Sequence, residues 1–381
     1  MRVNVVVNPA VSAEAAEASV REKLPQSGYL QAQESISRWD NYKVTPLVPL
    51  PDVAERLGVA SVEVKDESGR MGLGSFKALG GAYAVRRAFE DWRREHPDDD
   101  PASFTVTCVT DGNHGLSVAW GANQLGCRCV IYVPDVVTEL RENAIRAHGA
   151  DVVRRSGNYD EVTVLNIADA EAAGWHIVTD TAPDMAAAES ATVVMQGYRV
   201  LAEELLTQMQ GSLPTHVFLQ AGCGGMAASI VGHFVSRLRP EERPDFVIVE
   251  PENAACLLES AKAGKPVRVE GELDTIMAGL SVGEISLPAW DILQAAVRYF
   301  VTVSDDAVPV AMRLLARPAG RERPVVVSGE TGAAGLAALI AAADNAATDE
   351  LGLTADSRVL LLSTEGDTDP ELYKKLVGEE A

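Results

Sequence analysis

Gly74-Ser75-Phe76-Lys77-Ala78-Leu79-Gly80-Gly81 is the stretch on which the reading of the fold turns. It follows Val62-Glu63-Val64-Lys65, whose alternation reads as a strand, and it opens a segment predicted to be helical from Phe76 to about Arg94. Each glycine inside a helix costs about 1 kcal/mol. A helix beginning Lys-Ala-Leu-Gly-Gly therefore implies that something large approaches its backbone. Lys77 stands at the head of this helix among Gly72, Gly74, Ser75, Ala78, Gly80 and Gly81. Most helical lysines are solvated surface residues. In this setting the amine is also one of the few side-chain groups able to form a Schiff base with an aldehyde.

Outward from Lys77, strand and helix signals alternate. Strands are expected at Phe104 to Val109, Cys129 to Val133, Val152-Val153 and His176 to Thr179. Helices are expected at Asn113 to Leu125, Glu139 to His148, Asp160 to Ala173 and Ala191 to Gln210. A second series places strands at His216 to Leu219, Phe246 to Glu250, Tyr299 to Val303, Val325 to Val327 and Val359 to Leu362. Met226 to Arg237 and Gly332 to Asn345 are its clearest helices. Such alternation implies α/β architecture with mostly parallel sheets covered on both faces. The first ~35 residues read as a loose lead-in with helical stretches.

At 381 residues the chain is long for a single core, so about two lobes are expected. A formal charge of −22 argues against nucleic acid or an anionic membrane as partner. Five scattered cysteines give no disulfide framework, and no metal site is expected. No secretory signal or membrane span is visible, so the cytoplasm is the expected compartment.

Three further segments carry chemistry. Asp111-Gly112-Asn113-His114-Gly115 ends a strand and opens a helix, where backbone N–H groups can meet an anion and Asn113 can bond in the plane of a ring hydroxyl. Alone it is an ordinary capping pattern, with His114 more often a packing histidine than a base. Gly222-Cys223-Gly224-Gly225-Met226 follows an apolar strand and suits a phosphate, since glycines let N–H groups converge at a helix N-terminus. Alone it is a tight turn of a kind many α/β proteins share. Ser363-Thr364-Glu365-Gly366-Asp367 ends a buried strand in hydroxyls and acids. A lysine, a phosphate cup and a partner for a ring nitrogen together fit pyridoxal 5'-phosphate.

The joint pattern resembles the fold-type II pyridoxal-phosphate enzymes, the group of threonine and serine dehydratases and the tryptophan synthase β-chain. Within that group it is most similar to the diaminopropionate ammonia-lyases. The resemblance runs from about Tyr42 to Asp369 and also rests on Met195-Gln196-Gly197-Tyr198, Thr275-Ile276-Met277-Ala278-Gly279-Leu280 and Ser328-Gly329-Glu330. Ordinary dehydratases of this fold carry serine where this chain has Asp111.

The resemblance implies two three-layer α/β lobes with the active site between them. Residues 1–85 and 191–381 would form the large cofactor-binding domain and 86–190 a smaller mobile one. It implies α,β-elimination of ammonia from D- or L-2,3-diaminopropionate, giving pyruvate. Lys77 would hold the cofactor and serve as base for the L-substrate, and Asp111 as base for the D-isomer. Asp180 would help recognise the β-amino group, and Asn113 would bond the ring O3′. Gly222, Cys223, Gly224, Gly225 and Met226 would cradle the phosphate. Ser363, with Thr364 its nearest competitor, would face the ring nitrogen, and Glu330 would lie close to the ring. A homodimer is implied as well.

The chain departs from the family after Asp180-Thr181-Ala182. There the family continues with an aromatic, a Gly-Tyr pair and a basic-Ile-Pro stretch; this chain reads Pro183-Asp184-Met185-Ala186-Ala187-Ala188-Glu189-Ser190. That exchange removes an aromatic wall and adds acids. It keeps open a dehydratase or β-replacement enzyme acting on a related amino acid, and a non-catalytic amino-acid sensor.

Overall fold

The computed structural model describes residues 1–110, 112–157, 159–209, 211–318 and 323–378. Its strands in chain order are β1 (Val3–Val7), β2 (Leu47–Pro49), β3 (Ser61–Asp66), β4 (Thr105–Val109), β5 (Arg128–Pro134) and β6 (Asp151–Arg155). They continue with β7 (His176–Ile177), β8 (His216–Gln220), β9 (Asp245–Pro251), β10 (Tyr299–Val303) and β11 (Arg358–Ser363).

Seven strands make a large sheet in the order β1-β10-β9-β8-β11-β3-β2, and four make a small one in the order β6-β5-β4-β7. The small sheet is wholly parallel. In the large sheet the five inner strands are parallel and only the edges, β1 and β2, run antiparallel. Strands β4, β8 and β10 are buried at every position, as a sheet covered on both faces requires. Pro49, which cannot donate to a ladder, sits on an edge strand. The architecture is α/β with mostly parallel sheets, as expected.

Alternate residues of β11 feed two cores on opposite faces of the large sheet: Leu360 and Leu362 join one, Val359 and Leu361 the other. The first core continues without a break into the small sheet through Val106, Cys108, Ile131 and Val133. Helices Lys77–Glu95, Asn113–Leu125 and Ala188–Gln208 form the connecting layer.

Buried charge ties this layer to the large sheet. Arg70, Lys65 and Glu67 are fully buried and Glu204 nearly so. Arg70 Nε meets Glu67 Oε2 at 2.7 Å, while Arg70 Nη2 and Lys65 Nζ reach Glu204 Oε2 at 2.8 and 2.7 Å. Burying ions is costly unless each is paired, and here each is. The pairs hold the turn leading to Lys77 against helix Ala188–Gln208.

Two elements differ from the sequence reading. Val3–Val7 is a strand and not part of a loose lead-in, because it finds a ladder partner in β10 almost 300 residues on. Val325 to Val327 forms no strand: Val326 is buried and its N–H donates to Leu315 O at 3.1 Å, but Val325 is exposed and the segment joins no ladder among the described residues.

Candidate active site

Lys77 is the first residue of its helix. The segment before it is fastened to the end of β11. Phe76 N donates to Thr364 O at 3.0 Å, Gly366 N donates to Gly74 O at 2.9 Å, and Ser75 bridges Glu365. Gly74 takes a φ of 75°, a left-handed turn that favours glycine. The bulky neighbour implied by Gly80 and Gly81 is a pair of helices and not a ligand. A Cβ on Gly80 would lie 2.4 Å from Tyr198 Cε1, and one on Gly81 2.5 Å from Ser117 Oγ. Ser117 Oγ donates to Lys77 O at 2.7 Å and so steadies the first turn.

The amine of Lys77 pairs with Asp180, 103 residues away in sequence. His114 lies beyond it, with Nδ1 3.7 Å from the same carboxylate oxygen. His114 Nε2 meets Val178 O at 3.0 Å. A carbonyl only accepts, so Nε2 carries a proton and Nδ1 faces Asp180. Burial opposes the charge on Asp180, but His114 and Lys77 outweigh it and hold the carboxyl well below its usual range. Burial likewise opposes the charge on Lys77, and Asp180 outweighs it, so the amine lies well above its usual value.

Opposite this row, β8 ends and the turn Gly222 to Gly224 leads into helix Gly225–Arg237. Gly224 holds a φ of 96°. The first intrahelical bond is Ala228 N to Gly224 O at 2.9 Å, so the N–H groups of the first turn have no helical acceptor. Cys223 Sγ lies 3.7 Å from Asp180 O, which brings the turn against the Lys77–Asp180 pair. The Met226 side chain packs in the core, leaving its N–H as the group it can offer.

A third cluster borders the second. Asn113 Nδ2 donates to Glu365 Oε2 at 2.6 Å, and Thr331 N donates to Glu365 Oε1 at 3.3 Å. Glu330 lies near Arg141, 3.6 Å away. Burial first, then the neighbouring Glu330, pushes the Glu365 carboxyl up to about 7. Ser363 is fully buried, with its hydroxyl 3.4 Å from Glu365 O, and Thr364 Oγ1 accepts from Gln220 Nε2 at 3.0 Å. Both hydroxyls therefore lie at this end of β11.

Asp111 lies outside the described residues. Its neighbours are fixed: Thr110 Oγ1 accepts from Gly112 N and Gly115 N, both at 3.0 Å. The acids of the atypical loop face solvent. Asp184 Oδ1 accepts from Ala186 N at 2.9 Å and Ala187 N at 3.3 Å, and Asp184 and Glu189 are exposed. Sequence reasoning passed over Arg141 and assigned no role to Glu365 or Tyr198. The one signal available for Glu365 was its place directly after the hydroxyl pair.

Residues 39–365 match the family described as pyridoxal-phosphate dependent enzyme. The chain belongs to that family. It is 40% identical over 355 residues to diaminopropionate ammonia-lyase of Escherichia coli strain K12, covering 89% of this chain and 88% of that protein. The solved structure of the Escherichia coli diaminopropionate ammonia-lyase in complex with an aminoacrylate-pyridoxal phosphate azomethine reaction intermediate superposes with a TM-score of 0.89. That comparison covers 99% of this chain and 97% of the other at 37% identity. The complex of the same lyase with D-serine superposes with a TM-score of 0.90 at 36% identity, with the same coverage.

The cofactor of this pyridoxal-phosphate-dependent enzyme fits the residues present. A lysine amine, uncommitted N–H groups at a helix N-terminus and buried hydroxyls at a strand end converge from three parts of the chain.

Proposed function

We propose that the chain removes ammonia from 2,3-diaminopropionate by α,β-elimination. The aminoacrylate released then hydrolyses to pyruvate and further ammonia. The observation that carries this reading is the partly buried Lys77–Asp180–His114 row facing the Gly222 to Met226 turn, in a chain so similar to a diaminopropionate ammonia-lyase. Bound pyridoxal phosphate supplies the electron sink for the charge left at Cα. Lys77 binds the cofactor and, once free, takes the α-proton of the L-substrate. Asp111 is the base for the D-isomer. Asp180 stays ionised, so it offers a fixed negative charge to the second ammonium of a diamino acid.

The N–H groups of Gly222, Cys223, Gly224, Gly225 and Met226 hold the phosphate. Asn113, itself held by Glu365, bonds the ring hydroxyl, with Glu330 nearby. Ser363, or Thr364 beside it, faces the ring nitrogen. A neutral hydroxyl there leaves that nitrogen largely unprotonated, which suits elimination. We further assign residues 86–190 to a smaller mobile domain and 1–85 with 191–381 to the larger one. We place the enzyme as a homodimer in the cytoplasm. No helix among the described residues is long and apolar enough to cross a membrane.

The test is a panel of D- and L-2,3-diaminopropionate, serine, threonine and cysteine-type donors, scored by pyruvate and ammonia. Diaminopropionate should be the best substrate. Lys77→Ala should abolish both turnover and the borohydride-reducible cofactor adduct, and normal rates in that variant would reject the assignment. Asp111→Asn should cost the D-isomer more than the L-isomer; equal losses would reject the two-base scheme. Faster turnover of serine or a cysteine-type donor would select a dehydratase or β-replacement enzyme, the reading that the loop at Pro183 to Ser190 keeps open.

A further inference from the structure

Tyr198 belongs to the Met195-Gln196-Gly197-Tyr198 stretch, which the reaction outlined above does not use. Its side chain is buried, and its ring centroid stands 4.7 Å from that of Phe76, the residue before Lys77. The far end of the ring rests on Gly80, one helical turn beyond Lys77; Cε1 and Cζ lie 2.4 and 2.6 Å from where a Cβ would be. Glycine at position 80 is what lets the phenol ring settle there, against the same Phe76 ring whose centroid lies 5.5 Å from Lys77 Nζ. The Tyr198 hydroxyl is buried and has no hydrogen-bond partner among the described residues. It lies within electrostatic reach of Lys77, Asp180 and Cys223. Leaving a buried hydroxyl unpaired costs about 1–3 kcal/mol, so a structure keeps one where another state supplies the partner.

We propose that Tyr198 is a positioning residue for Lys77: its phenol oxygen accepts an N–H of the Lys77 amine whenever that amine is free, and so aims the amine's lone pair. Asp180 draws the ammonium form of Lys77 to one side. Tyr198 supplies an uncharged acceptor for the neutral form, the only form with a lone pair for proton removal or for attack on an aldehyde. This role rests on the reading of Lys77 as the cofactor lysine and L-substrate base.

Tyr198→Phe keeps the ring against Phe76 and Gly80 and removes only the hydroxyl. In the cofactor-free protein its melting temperature should not fall, because no partnered group is lost. Its rate of cofactor capture at Lys77, followed as borohydride-fixed adduct, should fall severalfold. In the holoenzyme kcat for L-2,3-diaminopropionate should drop about tenfold, the equivalent of one net hydrogen bond. KM should be unchanged, and the D-isomer should be affected much less. A capture rate equal to that of the unmodified protein would overturn the proposal, as would equal losses on both enantiomers. If the unmodified enzyme releases no pyruvate from diaminopropionate, the substrate reading fails, and the capture rate still decides the role of Tyr198.

Discussion

Asp180 lies between the amine of Lys77 and the imidazole of His114, and its charge sets the state of the amine. Burial alone would favour neutral Lys77; Asp180 reverses that preference. In Asp180→Asn the burial remains and the counter-charge is gone, so the amine gives up its proton at lower pH. The pH at which borohydride-fixed adduct reaches half its maximum should move down. An unmoved profile would mean that Asp180 does not act on the amine. Lys77, Asn113 and the Gly222 turn were legible in the sequence because their chemistry lies within short motifs. The bonds of Asn113 to Glu365 and of Lys77 to Asp180 were not, since each joins residues more than 100 positions apart. No local pattern marks that Tyr198 packs on Phe76 beside Lys77, although Gly80 holds the space for it.

The helix that carries Lys77 is positioned by close contact with its neighbour. A Cβ on Gly197 would lie 2.3 Å from Leu79 O, a backbone atom that cannot move aside without its helix. Gly197→Ala should separate helices Lys77–Glu95 and Ala188–Gln208 and cost about 1–3 kcal/mol, with weakened cofactor retention. Gly69→Ala, where nothing lies within 4 Å and φ is −96°, should stay within about 0.5 kcal/mol. Denaturant midpoints of the two variants test the contrast, and equal midpoints would reject it. The inner strands were legible because short apolar runs bounded by turns, or alternating as in β3, are a strong local signal. Strand β1 was passed over, and Val325 to Val327 over-read, for one reason. Both are short valine-rich segments, and only the distant β10 decides which of them pairs.

At the scale of the molecule, the sheet order was out of reach of the sequence. Strand β11, near the end of the chain, inserts between β8 and β3 and brings the Ser363 to Gly366 segment against Lys77. Composition gave the charge but not which acids are buried, and Glu365 and Glu250, both raised by burial, make stability depend on pH. Glu250 is fully buried at β9, its two oxygens accepting from Leu257 N at 2.8 Å and Leu258 N at 2.7 Å. Burial outweighs those bonds and pushes its carboxyl up to about 8. Its unfolded value is about 4.3, so across the interval between them the folded state holds a proton that the unfolded chain has lost. Stability therefore falls as pH rises through that interval. Histidines act the other way. Burial lowers His148 and His216, and takes His233 down to about 4, so they add stability only as pH rises toward about 6.5. Above about pH 7 the histidine contribution is complete and Glu250 still titrates. The urea midpoint of the cofactor-free protein should therefore decline from pH about 7 to about 8, and Glu250→Gln should flatten the decline. A midpoint that rises over that interval, or a slope untouched by the substitution, would mean that the proton on Glu250 is not what the fold retains.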